Sequence, residues 1–128
     1  MIGIGTDLVD LDRLRRVLDR TPGIVARLFT ESEQAYAIER HDPTERFGGR
    51  FAAKEATMKA LGVGLGQVAF RDIEVIRTPS GAPCLELHGS AAALAEARGV
   101  VRWLVTLSHT DHLAQATVVA LGPQATPA

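Results

Sequence analysis

Three groups of residues in this 128-residue chain have the types and spacing to do chemistry. The first is Asp7, set in the apolar run IGIGTDLV at residues 2–9. Side chains alternate along a strand, so Gly3, Gly5 and Asp7 share one face. Two absent side chains beside a carboxylate leave room for something bulky to approach the backbone. Desolvating an unpaired carboxylate is costly. Asp7 is therefore either a salt-bridged or strand-end acid, the commoner case, or a ligand for a hard cation such as Mg2+. That ion takes carboxylates while keeping waters and phosphate oxygens. The second group is Glu55 and Lys59, spaced i,i+4 so that they project together from a helix. As a surface ion pair they would contribute about 0.3–0.5 kcal/mol. As working groups they would be a carboxylate that binds metal or takes a proton, with an ammonium one turn on that faces phosphate. The third is the loop GVGLG at residues 62–66, whose repeated glycines let backbone N–H groups come close to an anion. Gly62 serves equally well as a helix C-cap, and the loop matches no Walker or dinucleotide pattern. His109, beside a turn, is a structural donor or a phosphate contact. His41, His88 and His112 have no companions suggesting a metal cluster and read as surface or structural residues. Cys84 reads as a small core residue.

These groups need elements to hold them. Residues 2–9 read as a buried strand entering from the N-terminus. In DLDRLRRVLDR, residues 10–20, Leu11, Leu14 and Leu18 fall at helical spacing, and Arg13, Arg15, Arg16 and Arg20 lie on the outer surface. TESE, from Thr30 to Glu33, has the form of a capping box opening a helix that runs to about His41, where Asp42-Pro43 breaks it. Thr44 then caps a longer helix that closes at Gly62. On its wheel Phe47, Phe51, Met58 and Leu61 form one stripe and Ala52, Ala56 and Ala60 the opposite one, so this helix is packed on two sides. Lys54 falls inside the Phe stripe and must snorkel or find a partner. Residues 72–78 and 84–88 form a hairpin around Pro79-Ser80-Gly81. Ser90 caps an Ala-rich helix ending at Gly99, and residues 102–109 and 113–121 are two further strands. The order β-α-α-α-β-β-α-β-β predicts an α+β fold with a largely antiparallel sheet packed against the long central helix.

Length sets the count at one domain, residues 1–122, with a loose tail at 123–128. Apolar residues make up 46% of the chain and charged ones 23%, enough for a real core. Fourteen Lys and Arg against fifteen Asp and Glu give a net charge of -1, without the basic excess of a general nucleic-acid binder. A single cysteine excludes an intramolecular disulfide framework and a Cys-rich zinc site. No apolar run is long enough to cross a bilayer. The start MIGIGTDLVD lacks the positive region of a signal peptide, so the expected setting is cytoplasmic.

Three segments together resemble one family over roughly residues 1–121: GIGTDLVDLDRL near the start, the central GRFAAKEATMKALGVGLG, and VTLSHT ahead of an alanine-rich strand. In this order and within this length they resemble the bacterial holo-acyl-carrier-protein synthases, the small 4'-phosphopantetheinyl transferases. Two departures stand out. Thr6 occupies a position where hydrophobic residues are common. Phe47-Gly48-Gly49-Arg50 is glycine-rich where a Leu-Ala pair is often seen, at a cost of roughly 1 kcal/mol per glycine relative to Ala.

The resemblance implies transfer of the phosphopantetheine arm of coenzyme A to a serine of an acyl carrier protein, with adenosine 3',5'-bisphosphate leaving. It implies that Asp7 and Glu55 bind Mg2+, and that Glu55, directly or through a metal-bound water, takes the serine proton. Lys59 would stabilise or protonate the departing bisphosphate. Arg50, His109 and the backbone at Gly62, Gly64 and Gly66 would position coenzyme A. Arg13, Arg16 and Arg20 would dock the acidic carrier protein. The resemblance further implies a homotrimer with coenzyme A in a cleft between neighbouring subunits. Two other classes share these residues: a Mg2+-dependent phosphate hydrolase that needs no carrier protein, and a trimeric nucleotide-binding module in which the two acids only hold structure.

Overall fold

The computed structural model describes residues 1–124, so residues 125–128 of the expected tail lie outside the described residues. The chain runs β1 (Gly3–Asp10), α1 (Leu11–Arg20), α2 (Ile24–Leu28), α3 (Glu31–Ala37) and α4 (Thr44–Leu61). After a 3-10 turn at Phe70–Asp72 come β2 (Ile73–Arg77), β3 (Pro83–Leu87), α5 (Gly89–Ala97), β4 (Arg102–His109) and β5 (Leu113–Leu121). All pairing is antiparallel: β5 lies between β1 and β4 in one sheet, and β2 with β3 makes the hairpin. The α+β expectation holds. Among the described residues no helix is long and apolar enough to cross a membrane.

The sheet packs one face on α4, and small residues set how closely. Ala52, Ala56 and Ala60 of α4 are buried against Ala114, Ala116, Val118 and Ala120 of β5. A Cβ on Gly3 or Gly5 would overlap the backbone carbonyls of Ala60 and Ala56. The bulky group that the two glycines admit is thus the helix of the same chain. Gly48 has a matching reason, since a Cβ there would run into Leu11 of α1. Opposite the alanine stripe, Phe47 is buried with Phe29, the ring centroids 4.6 Å apart.

Lys54 finds partners. It is fully buried, and its Nζ donates to Glu33 Oε1 at 2.8 Å, to the Phe70 carbonyl at 2.9 Å and to the Ile73 carbonyl. Glu33 Oε2 in turn accepts from the Val75 N–H at 3.0 Å, so one ion pair ties α3, α4 and β2 together.

Several boundaries differ from the sequence reading. Strand β1 is buried on one face only, and Ile4 and Leu8 are exposed on the other. The capping box of Thr30 and Glu33 is present, but α3 stops at Ala37. Beyond it the chain tightens into turns, the N–H groups of Glu39 and Arg40 bonding the carbonyls of Tyr36 and Ala37 at 3.4 and 3.2 Å, while Arg46 Nη1 donates to the Tyr36 carbonyl at 2.7 Å. The N–H of Thr44 is capped by Asp42 Oδ1 at 3.0 Å, and Thr44 itself is buried in the first turn. Ser90 lies inside α5, where Asp72 Oδ2 accepts from its N–H at 2.9 Å and its hydroxyl at 2.6 Å. Helix α2 was not foreseen. Its five residues have no side-chain cap and bury no residue fully.

Candidate active site

Alternation on β1 turns Asp7 inward after Gly3 and Gly5, and the tight helix–sheet contact brings it to α4. Its side chain is 10% exposed. Oδ1 accepts from Lys59 Nζ at 3.0 Å, and Lys59 also donates to the Thr6 carbonyl at 2.9 Å. The other oxygen, Oδ2, is buried with no hydrogen-bond partner. Lys59 is therefore paired across elements, and among the described residues it makes no ion pair with Glu55. Burial, together with the repulsion of the neighbouring Asp7 carboxylate, pushes Glu55 up to about 6, with Lys59 opposing the shift. A carboxyl with that value is poised to exchange protons near neutrality.

Glu55 stands where two clefts meet. One, of about 440 Å3, is lined by Asp7, Arg13, Leu14, Val17, Phe51 and Glu55 among others. The other, of about 250 Å3, is formed by Glu55, Met58, Lys59, Val63, Gly64 and Leu65. Gly62 closes α4 in the left-handed conformation, with φ 72°, and its N–H is bonded to the Lys59 carbonyl at 3.0 Å. The Gly64 N–H is bonded to Gln67 Oε1 at 3.0 Å. Both N–H groups are thus engaged within the chain, that of Gly64 only by an exposed side chain. A Cβ on Gly64 or Gly66 would meet nothing within 4 Å, which leaves the loop side open.

Arg50 and His109 lie elsewhere in the chain. Arg50 is buried, its guanidinium 4.2 Å from the Tyr36 ring centroid and its Nε without a partner. Arg46 and Arg77 cover the same ring at 3.8 and 4.9 Å. His109 Nε2 is 3.3 Å from Glu45 Oε1, and His109 shares with Tyr36, Glu45 and Arg50 a cleft of about 240 Å3. Neither Asp7, Glu55 nor Lys59 lines it. One copy of the chain thus keeps the expected coenzyme A residues in two places. Tyr36 as a platform for three arginines was not legible in the sequence. Its being the only tyrosine was the sole hint.

On α1, Arg15 is engaged by Asp12 at 3.2 Å and Asp42 at 2.8 Å. Arg13, Arg16 and Arg20 are exposed and make no ion pair among the described residues. Arg13 borders the larger cleft beside the acid pair.

Comparison with known proteins identifies the family. The sequence model described as the 4'-phosphopantetheinyl transferase superfamily matches residues 3–117. The chain belongs to that superfamily. Holo-[acyl-carrier-protein] synthases of Moorella thermoacetica and Syntrophotalea carbinolica are 46% and 48% identical to it over 121 and 122 residues. These alignments cover 94% of this chain and 93% and 95% of the relatives. A crystal structure of the Neisseria meningitidis holo-[acyl-carrier-protein] synthase superposes with a TM-score of 0.86 at 32% identity, covering 94% of this chain and 98% of that one. The Bacillus anthracis synthase in complex with CoA (3',5'-ADP) superposes with a TM-score of 0.79 at 34% identity, covering 95% and 97%.

For a superfamily member the acid pair suits a hard cation. Two carboxylates face each other, and one buried oxygen lacks any donor. Oxygen donors with room left for waters and phosphate are what Mg2+ takes.

Proposed function

We propose that this chain is a holo-[acyl-carrier-protein] synthase. It moves the 4'-phosphopantetheine group of coenzyme A to a serine of an apo-acyl carrier protein and releases adenosine 3',5'-bisphosphate. The reading rests above all on the position of Glu55, beside Asp7, where two clefts meet, one bordered by Asp7 and Arg13 and the other by Lys59 and the glycine loop. A transferase must bring two substrates to one point, and the two clefts supply two approaches to it.

Asp7 and Glu55 are the residues that would hold Mg2+, the buried Oδ2 of Asp7 being the unpartnered donor. When bound, the ion supplies neutralisation of the phosphate charge that grows as the pyrophosphate link breaks. Lys59 faces the pyrophosphate from the loop-side cleft and stabilises or protonates the departing bisphosphate. The serine hydroxyl enters from the Arg13 side. Its oxygen forms the new bond to the β-phosphorus, the bond to the bisphosphate oxygen breaks, and Glu55 accepts the proton directly or through a water. Glu55 is less basic with an ion bound, so the route through a water suits the metal-loaded site better. Leu14, Val17 and Phe51 give the entry cleft an apolar wall, and the exposed Arg13, Arg16 and Arg20 attract an acidic carrier.

Arg50 and His109 complete the coenzyme A site from a neighbouring subunit of a homotrimer, which explains why one copy keeps them apart from the acids. The solvent face of the main sheet supports such assembly. Ile4, Leu8 and Leu104 are exposed there around a polar centre in which Gln115 donates to Thr6 Oγ1 at 2.9 Å and Thr117 Oγ1 at 2.6 Å. Thr6, the departure from the family pattern, belongs to this centre. We place the enzyme in the cytoplasm, with its substrates.

Intact mass spectrometry of an apo-carrier protein incubated with the chain, coenzyme A and Mg2+ tests the proposal. A pantetheinyl mass gain abolished by EDTA is expected. Breakdown of coenzyme A without carrier modification would mean a hydrolase, and binding without either a nucleotide-binding module.

A further inference from the structure

The hairpin places two like charges directly opposite each other, since β2 and β3 pair Glu74 with Glu86 in register. Opposed like charges weaken a strand pair. His88 follows Glu86 by two residues, so it stands on the same face. Its Nε2 lies 3.0 Å from Glu74 Oε1 and 3.9 Å from Glu86 Oε1. One donor atom from each of the three residues lies within 4.8 Å of the others. An ion with bonds of about 2.0–2.1 Å at tetrahedral angles sets neighbouring donors about 3.3 Å apart, between those two separations. The second oxygen of Glu74 is already fixed, accepting from the hydroxyls of Thr30 and Ser32 at 2.5 Å each. The Glu74 side chain is 14% exposed. Hydroxyl bonds of this kind hold a ligating carboxylate in place. Among the described residues no Lys or Arg forms an ion pair with either acid.

We propose that Glu74, Glu86 and His88 form a second divalent-cation site, for an ion that accepts mixed nitrogen and oxygen donors such as Zn2+. The imidazole separates it in chemistry from the all-carboxylate pair of Asp7 and Glu55. Solvent takes the fourth position, so binding is reversible. The site fastens the hairpin to two helix starts, because His88 is the N-cap of α5 and Thr30 the N-cap of α3. The sequence reading left His88 without companions. Both companions come from cross-strand register, which spacing along the chain does not display.

The test is titration of the full chain with Zn2+ alone at pH 7.5 against a chromophoric chelator, with Co2+ as a spectroscopic substitute. The wild type is expected to bind one tight equivalent, ahead of any weaker binding at the Asp7–Glu55 pair, with a tetrahedral Co2+ spectrum, and to melt at a higher temperature with Zn2+. His88→Gln and Glu86→Gln, both at exposed or half-buried positions, should each weaken Zn2+ at least about tenfold and remove the thermal shift. Asp7→Asn should leave this binding unchanged. Wild-type affinity in His88→Gln overturns the proposal, as does no binding to the wild type at micromolar Zn2+. Loss of binding in Asp7→Asn or in Cys84→Ser in place of His88→Gln overturns it too.

Discussion

The shared acid pair makes a quantitative statement about pH. Glu55 must be deprotonated to bind Mg2+, so protons compete with the ion. With a value of about 6, about one-tenth of Glu55 is deprotonated at pH 5 and about 99% at pH 8, so the apparent affinity falls about elevenfold between them. An ordinary glutamate at 4.5 would give a change of only about 1.3-fold over the same range. Isothermal titration of the coenzyme-free protein with Mg2+ at the two pH values separates the cases, and Glu55→Gln should show weak binding with no such dependence. The same shift has a consequence for stability. The folded state binds the Glu55 proton more tightly than the unfolded state, so the stabilisation is complete below about 4.5 and is lost as pH rises through about 6. Mg2+ relieves the repulsion that remains above that point, so it should raise the melting temperature more at pH 7.5 than at pH 5. An affinity change below twofold between pH 5 and 8, or an equal change in Glu55→Gln, would refute the claim that the two acids share one ion.

Four further outcomes follow from the same contacts. Asp7→Asn should cut transfer by on the order of a hundredfold or more, while melting no lower than the wild type, because it removes a buried charge with an orphaned oxygen; turnover within tenfold of wild type would contradict the ligand role. Gly5→Ala should cost about 3 kcal/mol in urea denaturation, because the obstacle is the Ala56 backbone, whereas Gly64→Ala, meeting nothing, should stay within about 0.5 kcal/mol. Lys54→Met strands the buried Glu33 and should cost about 3–5 kcal/mol, partly recovered in the double variant with Glu33→Gln. Arg13→Glu should raise the KM for carrier protein, more so at low salt, and leave coenzyme A binding unchanged; equal effects on both substrates would count against docking.

What the sequence made legible was governed by how local the cause is. Strands β4 and β5 and the hairpin fell within a residue or two of their expected positions, because alternation and the Pro79-Ser80-Gly81 turn lie inside each segment. Lys54 stood out as an anomaly in an apolar stripe, but its partner Glu33 lies 21 residues away and nothing in the stripe names it. Helix α2 escaped because five residues present neither a cap nor a full stripe. Arg50 is assigned to coenzyme A through the family resemblance, without any sign of its tertiary partner. Its direction is set by Tyr36 of α3, a tertiary contact. The C-cap use of Gly62 was visible because its cause is local, a glycine directly after the last periodic residue of the helix.

The meeting of Asp7 with Glu55 needed both kinds of cause. Gly3 and Gly5 have no side chain because α4 must pass close, and Ala56 and Ala60 supply the carbonyls that they meet. Asp7 is the next residue on that face of β1, and Glu55 precedes Ala56 on the helix. The small-residue contact that builds the core therefore also fixes how near the two carboxylates come. Packing pushes them together against their own repulsion, and Lys59 answers only one oxygen of the four. A fold selected for stability alone would place an amide or a hydroxyl at position 7. That an acid with an unpartnered oxygen stands there instead, beside Glu55 at the junction of two clefts, is a physical reason to read the pair as a site built for a cation and the phosphates it brings.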